Sequence, residues 1–328
     1  MILLAGAHDD SLLRERLNWA LWGKISANEE PLGQRRTAYC ELFIDGRYEG
    51  VYIMQDPDAP KTELAKAGAG ALQDSLYRTK STFFLSGTRP WLAFEPREYT
   101  AFICYYAPTQ DAFAALRPFL SLETEEDDAA FLRRAQQLLD VDSLLLYDLF
   151  IQTGGMTDSV YNNLYIWAHE TAQGPLYRFA CWDLDTGYGN QNPVNIGSYY
   201  EYWVCFPLCD RLLNLSPDAR LRYAALWRQL QDSGYTEEGI GRLAGTLALE
   251  LTGSGAWRRN ADRWGLEQEL PLWRIQEYLE QRFPVLEQAI GRLTEDVRAP
   301  VPFLAASAYD GGLGVSIYDE FDMQDAEE

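Results

Sequence analysis

Apolar side chains recur at helical spacing early in the chain. Leu13, Leu17, Ala20 and Leu21 form one stripe, so residues 10–25 read as a helix with Asp10 or Ser11 as its N-cap. The period then drops to two. Residues 39–44 and 47–54 alternate around Asp45-Gly46, a dipeptide suited to the positive φ values of a tight hairpin turn. Residues 55–73 form a polar connection, 75–80 and 83–85 read as strands, and the aromatic-rich stretch 91–106 reads as strand. From residue 123 the helical period returns. Two helices are expected over 123–150, parted at 140–143, and the second is apolar on most faces and hence buried. Residues 163–167 and 176–182 read as a hairpin with a polar loop at 168–175, and 186–209 as a Gly/Asn/Tyr-rich loop. Amphipathic helices are expected at 217–232, 236–251 and 267–293. Beyond Pro300 the pattern is of short strands around an Asp310-Gly311-Gly312 turn, ending in an acidic tail at 319–328. The fold class expected is α+β: a small β-rich part (1–120), a larger helical part (121–299), and a short β segment with the tail (300–328).

Composition narrows the function. With 328 residues, 47% hydrophobic and 13% aromatic, the chain reads as globular with a substantial core. Its formal charge of −21 repels phosphate backbones and anionic lipid, which argues against nucleic acid as a partner. No apolar run reaches the roughly eighteen residues of a membrane span, so no membrane insertion is expected. The apolar start Met1-Ile2-Leu3-Leu4 lacks a basic flank and meets Asp9-Asp10 at once, so no signal peptide is visible. The five cysteines make no disulfide framework. Cys205 and Cys209 have no His nearby in sequence, and buried or free thiols are expected rather than zinc.

The chemistry concentrates in two segments: Asp158-Ser159-Val160-Tyr161-Asn162-Asn163, and Trp182-Asp183-Leu184-Asp185-Thr186-Gly187 about twenty residues later. An Asp, an Asn five positions on, an apolar run and then an Asp-rich turn is the order in which protein-kinase-like sites present their groups. Asp158 is the candidate general base. Asn163, with Asn162 as the alternative, is a neutral amide ligand for Mg²⁺, and Asp183 and Asp185 are carboxylate ligands expected to share one side of an extended segment. Each residue also has a bland reading as a turn or cap residue. Other chemistries fit less well. A calcium loop starting at Asp183 would need Gly and Glu where Tyr188 and Val194 stand. There is no Gly-x-Ser-x-Gly elbow, no phosphate-loop lysine motif and no complete dinucleotide fingerprint. Of the two histidines, His169 is expected to be solvated in a strand connection. The acidic composition leaves a two-carboxylate glycosidase open.

These residues, with the helix around Arg14, the Glu41–Tyr52 hairpin and Leu76-Tyr77-Arg78, resemble the spore coat protein H (CotH) kinases, a family of atypical protein kinases. The resemblance covers most of the chain. It implies a two-lobed kinase-like fold and phosphate transfer from ATP, with Mg²⁺ or Mn²⁺, to Ser/Thr hydroxyls of a coat or surface protein. It makes Asp158 catalytic and the Trp182–Asp185 turn metal-binding, and it implies a place in the spore coat or cell envelope. Synthesis without export stays open. Two departures stand out. The family's further N-terminal strands, with an Arg-Gly-x-x-Ser motif, are missing ahead of Met1, so the first lobe is expected to be shortened. Arg78 stands where members often carry lysine, with Lys80 on the same strand face as a second phosphate-contact candidate. The competing readings are an inactive pseudokinase serving as an assembly module, and a carbohydrate-active or carbohydrate-binding surface protein suggested by ten Trp and twenty Tyr.

Overall fold

The computed structural model describes residues 1–26, 35–56, 73–79, 102–123, 125–190, 199–299, 301 and 315–316. The expected strand at 83–85, residues 91–101 of the expected strand at 91–106, the Asp310 turn, the acidic tail and Lys80 lie outside the described residues.

The chain opens with β1 (Ile2–Leu4), a three-residue strand that no local pattern announces, and enters α1 (Arg14–Ile25). Neither Asp10 nor Ser11 caps α1. The carboxylate of Asp9 does that work, accepting the N–H of Ser11 at 3.0 Å and of Arg14 at 2.7 Å. The hairpin β2 (Thr37–Ile44) and β3 (Arg47–Gln55) turns at Asp45 (φ 50°) and Gly46 (φ 77°), as the Asp-Gly pair predicts. β1 adds to the free side of β3, giving an antiparallel sheet ordered β1-β3-β2.

A second antiparallel sheet follows. Its strands are β4 (Ser75–Thr79), β5 (Phe102–Tyr106), β6 (Leu164–Thr171) and β7 (Gly174–Cys181), ordered β5-β4-β6-β7. It joins two strands from before residue 120 to two from after it. The loop expected at 168–175 is shorter than the sequence pattern suggests. Both strands run on until Thr171 pairs with Gly174, because the Thr171 hydroxyl donates to the Gly174 carbonyl and closes the turn.

Between β5 and β6 lie α2 (Arg117–Glu123), α3 (Asp128–Leu138), α4 (Val141–Gly154) and the single turn α5 (Asp158–Tyr161). Asp140 caps α4 by accepting the Ser143 N–H at 3.2 Å, and Gly155 ends it at φ 63°. Nearly every side chain of α4 is buried, as its apolar composition predicts. The stretch expected as a loop to residue 209 contains β8 (Tyr202–Trp203), paired with β9 (Val315–Ser316), and the start of α6 (Pro207–Leu215). The remaining helices are α7 (Pro217–Asp232), α8 (Glu237–Gly253), α9 (Ala256–Trp264) and α10 (Leu272–Glu295). One continuous hydrophobic core runs from Leu17 on α1 through α4 and the second sheet to Leu293 on α10. The architecture is α+β, with small antiparallel sheets and ten helices among the described residues, consistent with a two-lobed kinase-like fold.

Candidate functional site

The left-handed Gly155 breaks α4 and sends the chain through Met156 and Thr157 into the turn that begins at Asp158. The Asp158 carbonyl accepts the backbone N–H of Asn162 at 3.0 Å and of Asn163 at 3.1 Å. Its carboxylate accepts the side-chain amide of Asn162 at 2.6 Å on one oxygen and that of Asn163 on the other. The Asn163 amide also reaches the Asp183 carbonyl at 3.4 Å. Asn163 therefore ties the first segment to the second, whereas the Asn162 side chain bonds only within its own turn. Asp158 is half-buried, and each of its oxygens has taken one hydrogen bond, which leaves lone pairs for a further donor.

The Asp183 segment departs from the strand expected there. β7 ends at Cys181, the Trp182 N–H donates to the Asn163 carbonyl at 3.0 Å, and Asp183 adopts φ 48°. Alternation along a strand therefore does not align Asp183 with Asp185. A tight turn brings both carboxylates into one cleft, which they line with Gly6, His8, Asp9, Glu15 and Ile53.

That turn is shaped from outside. The Asn18 side-chain amide on α1 donates to the carbonyls of Leu184 (2.8 Å) and Thr186 (3.2 Å). Glu15 accepts the Leu184 N–H at 2.7 Å, and its other oxygen accepts the Trp19 indole N–H at 2.7 Å. Buried Arg14 donates to the Gly187 carbonyl at 2.9 Å while paired with Asp9 at 2.5 Å. Behind the turn, the Tyr188 N–H donates to the Gly154 carbonyl at the end of α4. Gly187, at φ 108°, sits so close that a Cβ would lie 3.0 Å from that carbonyl oxygen. Glu15 and Asn18 are not among the site residues expected from the sequence. Their signal was available: Arg14, Glu15 and Asn18, at i, i+1 and i+4, cluster on one side of the helix.

The electrostatics report crowded carboxylates. Burial first, and then the nearby Asp183, push Glu15 up to about 8. Asp185 is raised to about 6 by desolvation, then by Asp183 and Asp9. Asp183, at the surface but ringed by protein, is raised by desolvation and by Asp158, while Arg78, His8 and Arg35 pull it back.

Arg78 on β4 lies beside this cluster. Its guanidinium sits 5.3 Å from the Trp182 ring and 5.4 Å from the Tyr105 ring. Arg35, which the sequence reading did not single out, also sits on Trp182, at 4.9 Å. His169 is partly exposed and also has a protein partner. Its Nδ1 lies 3.0 Å from the buried Asp74 carboxylate. All five cysteines are free thiols, as expected. Trp19, Trp22, Trp203 and Trp227 are fully buried, so these four serve the core.

Among the described residues no three His, Cys, Asp or Glu side chains gather as a metal cage. Mg²⁺ does not require one. It is typically held by one or two carboxylates, with waters and substrate phosphates completing the shell. The Asp183 and Asp185 carboxylates, hard oxygen donors lining one cleft, fit that pattern, and Asn163 is tied to the same segment through the Asp183 backbone carbonyl. Among the described residues no helix is long and apolar enough to cross a membrane.

A family model described as CotH kinase protein matches residues 1–286. No curated protein matches the chain.

Proposed function

The chain belongs to the CotH kinase family, and from that premise we propose that it transfers the terminal phosphoryl group of ATP to a Ser/Thr hydroxyl of a protein. The observation that carries this reading is the Asn163 amide. It donates to the Asp158 carboxylate and to the Asp183 backbone carbonyl, and Asp158 acts electrostatically on the Asp183 carboxylate, which supports a proton acceptor near the candidate phosphate-side carboxylates.

In this reading the half-buried Asp158 accepts the proton of the attacking hydroxyl, and the two Asn amides orient its carboxylate. Asp183, Asp185 and the Asn163 oxygen would hold Mg²⁺ or Mn²⁺, which neutralises the phosphate charge when bound. Arg78 supplies fixed positive charge beside Asp183. The oxygen–phosphorus bond forms on the acceptor, the bond to the terminal phosphorus of ATP breaks, and ADP leaves. The family premise extends the proposal to a coat or surface protein as acceptor and to the spore coat or cell envelope as location.

Incubation with Mn²⁺ and γ-labelled ATP tests the proposal. Wild-type protein is expected to incorporate label into itself or an added acceptor, and Asp158→Ala is expected to lose at least about a hundredfold in rate, the usual size of a general-base effect. Equal labelling of the two proteins removes Asp158 from catalysis. No labelling of either, alongside intact nucleotide binding, favours the pseudokinase module instead.

A further inference from the structure

Five side chains from five separate segments form a chain of cation–ring contacts. Arg35 lies 4.9 Å from the ring of Trp19 and 4.9 Å from that of Trp182. Arg78 lies 5.3 Å from the same Trp182 ring and 5.4 Å from Tyr105. Tyr165 packs edge-on against both Trp182 and Tyr105, fixing the rings from behind. Trp182 immediately precedes Asp183, so both guanidiniums are held at the edge of the candidate metal turn.

Ring contacts use the face of a guanidinium and leave its in-plane N–H groups for acceptors. Arg78 has an acceptor to find. Its Nε is buried without a hydrogen-bond partner, and no carboxylate lies within 4 Å of it among the described residues. A buried N–H of a permanently charged group is costly to leave unmade, and ring packing does not satisfy it. In a chain of formal charge −21, two arginines on one tryptophan ring, both acting electrostatically on Asp183, are arranged for an anion that approaches the Asp turn. A phosphate chain has the planar, multi-oxygen edges that guanidinium forks match.

We propose that Arg35 and Arg78, tied together through Trp182, form a two-guanidinium seat for the phosphate chain of a nucleotide, with Arg35 as its second cation. The identity of the ligand as a nucleotide rests on the kinase reading, and the seat for a polyphosphate does not. Trp182 acts here as a positioning residue that keeps the two forks in register.

Calorimetric titration with inorganic tripolyphosphate, adenosine, and a non-hydrolysable ATP analogue with Mg²⁺ tests the seat. Arg35→Gln is expected to weaken tripolyphosphate and the analogue by about tenfold or more and to leave adenosine unchanged. Arg35→Lys, which keeps the charge and loses the fork, should fall between Arg35→Gln and wild type. It carries the test if Arg35→Gln fails to fold. Trp182→Leu keeps both cations and should still weaken tripolyphosphate. Variants that melt like wild type or below it, yet bind tripolyphosphate within about twofold of wild type, overturn the seat and leave Arg35 a packing residue. The two proposals fail separately. Phosphate transfer with an unchanged KM for ATP in Arg35→Gln removes the seat and keeps the kinase. Arg35-dependent tripolyphosphate binding in a protein that transfers no phosphate keeps the seat and removes the kinase.

Discussion

Glu15 lies inside the protein with a backbone N–H on one oxygen and an indole N–H on the other, both at 2.7 Å. Two donors favour the carboxylate, but burial and the neighbouring Asp183 outweigh them and hold the group near 8 rather than its usual 4.5. The unfolded chain therefore releases this proton first. The contribution of Glu15 to stability is fully present below about pH 4.5 and falls as pH climbs towards 8, by up to about 1.4 kcal/mol per pH unit. Urea unfolding at several pH values across that interval is expected to show a declining stability in metal-free wild type and a flatter line in Glu15→Gln. What matters is the slope, because the glutamine NH₂ would face one of the two donors and shift the absolute value. Parallel lines would assign the decline to other groups. Asp185, raised to about 6, works in the same direction over a narrower interval.

At the scale of elements, α1 templates the Asp183–Tyr188 turn. Arg14, Glu15 and Asn18 reach Leu184, Thr186 and Gly187, and the turn in return adopts positive φ at Asp183 and Tyr188, which L-residues seldom choose unaided. Asn18→Ala strips two carbonyls of their donor and should cost about 1–3 kcal/mol for each that finds no water. Its unfolding midpoint should fall, and its Mn²⁺ affinity should fall with it. A lower midpoint with unchanged Mn²⁺ affinity would mean that the turn holds its shape without α1. This also explains what could be read ahead of the coordinates. The Asp45-Gly46 hairpin, the buried α4, and the order Asp158, Asn163, Asp183, Asp185 are local signals, carried by neighbouring residues. The left-handed Asp183 is set by partners more than 160 positions away, so a strand through Asp185 was the natural local reading. β1 is too short to show a period and exists because β3 offers it an edge. α6 was hidden by the Gly/Asn-rich segment before it, although Pro207 at its first turn is a start signal. Arg35 could not be picked out, because its meaning comes from Trp19 and Trp182, which meet only in three dimensions.

Over the whole molecule, the sheet that carries Arg78 also carries the two strands between Asn163 and Trp182, and α1 packs against both β2 and α4. The candidate base, the carboxylates and the arginines are thus set by one continuous core rather than by separate loops. In the proposed function, the formal charge of −21 repels a nucleotide unless cations gather at the site, which would give Arg35, Arg78 and a divalent ion a common purpose. In the proposed site, Asn163, Asp183 and Asp185 act together on one metal–nucleotide complex next to Asp158. Titration of Mn²⁺ followed by electron paramagnetic resonance, with and without a non-hydrolysable ATP analogue, measures this most directly. The analogue is expected to tighten Mn²⁺ binding in wild type and in Asp158→Ala, and Asn163→Ala and Asp185→Asn are each expected to weaken that ternary complex by about tenfold or more. Mn²⁺ binding that ignores the analogue, or that survives both substitutions unchanged, would contradict the claim.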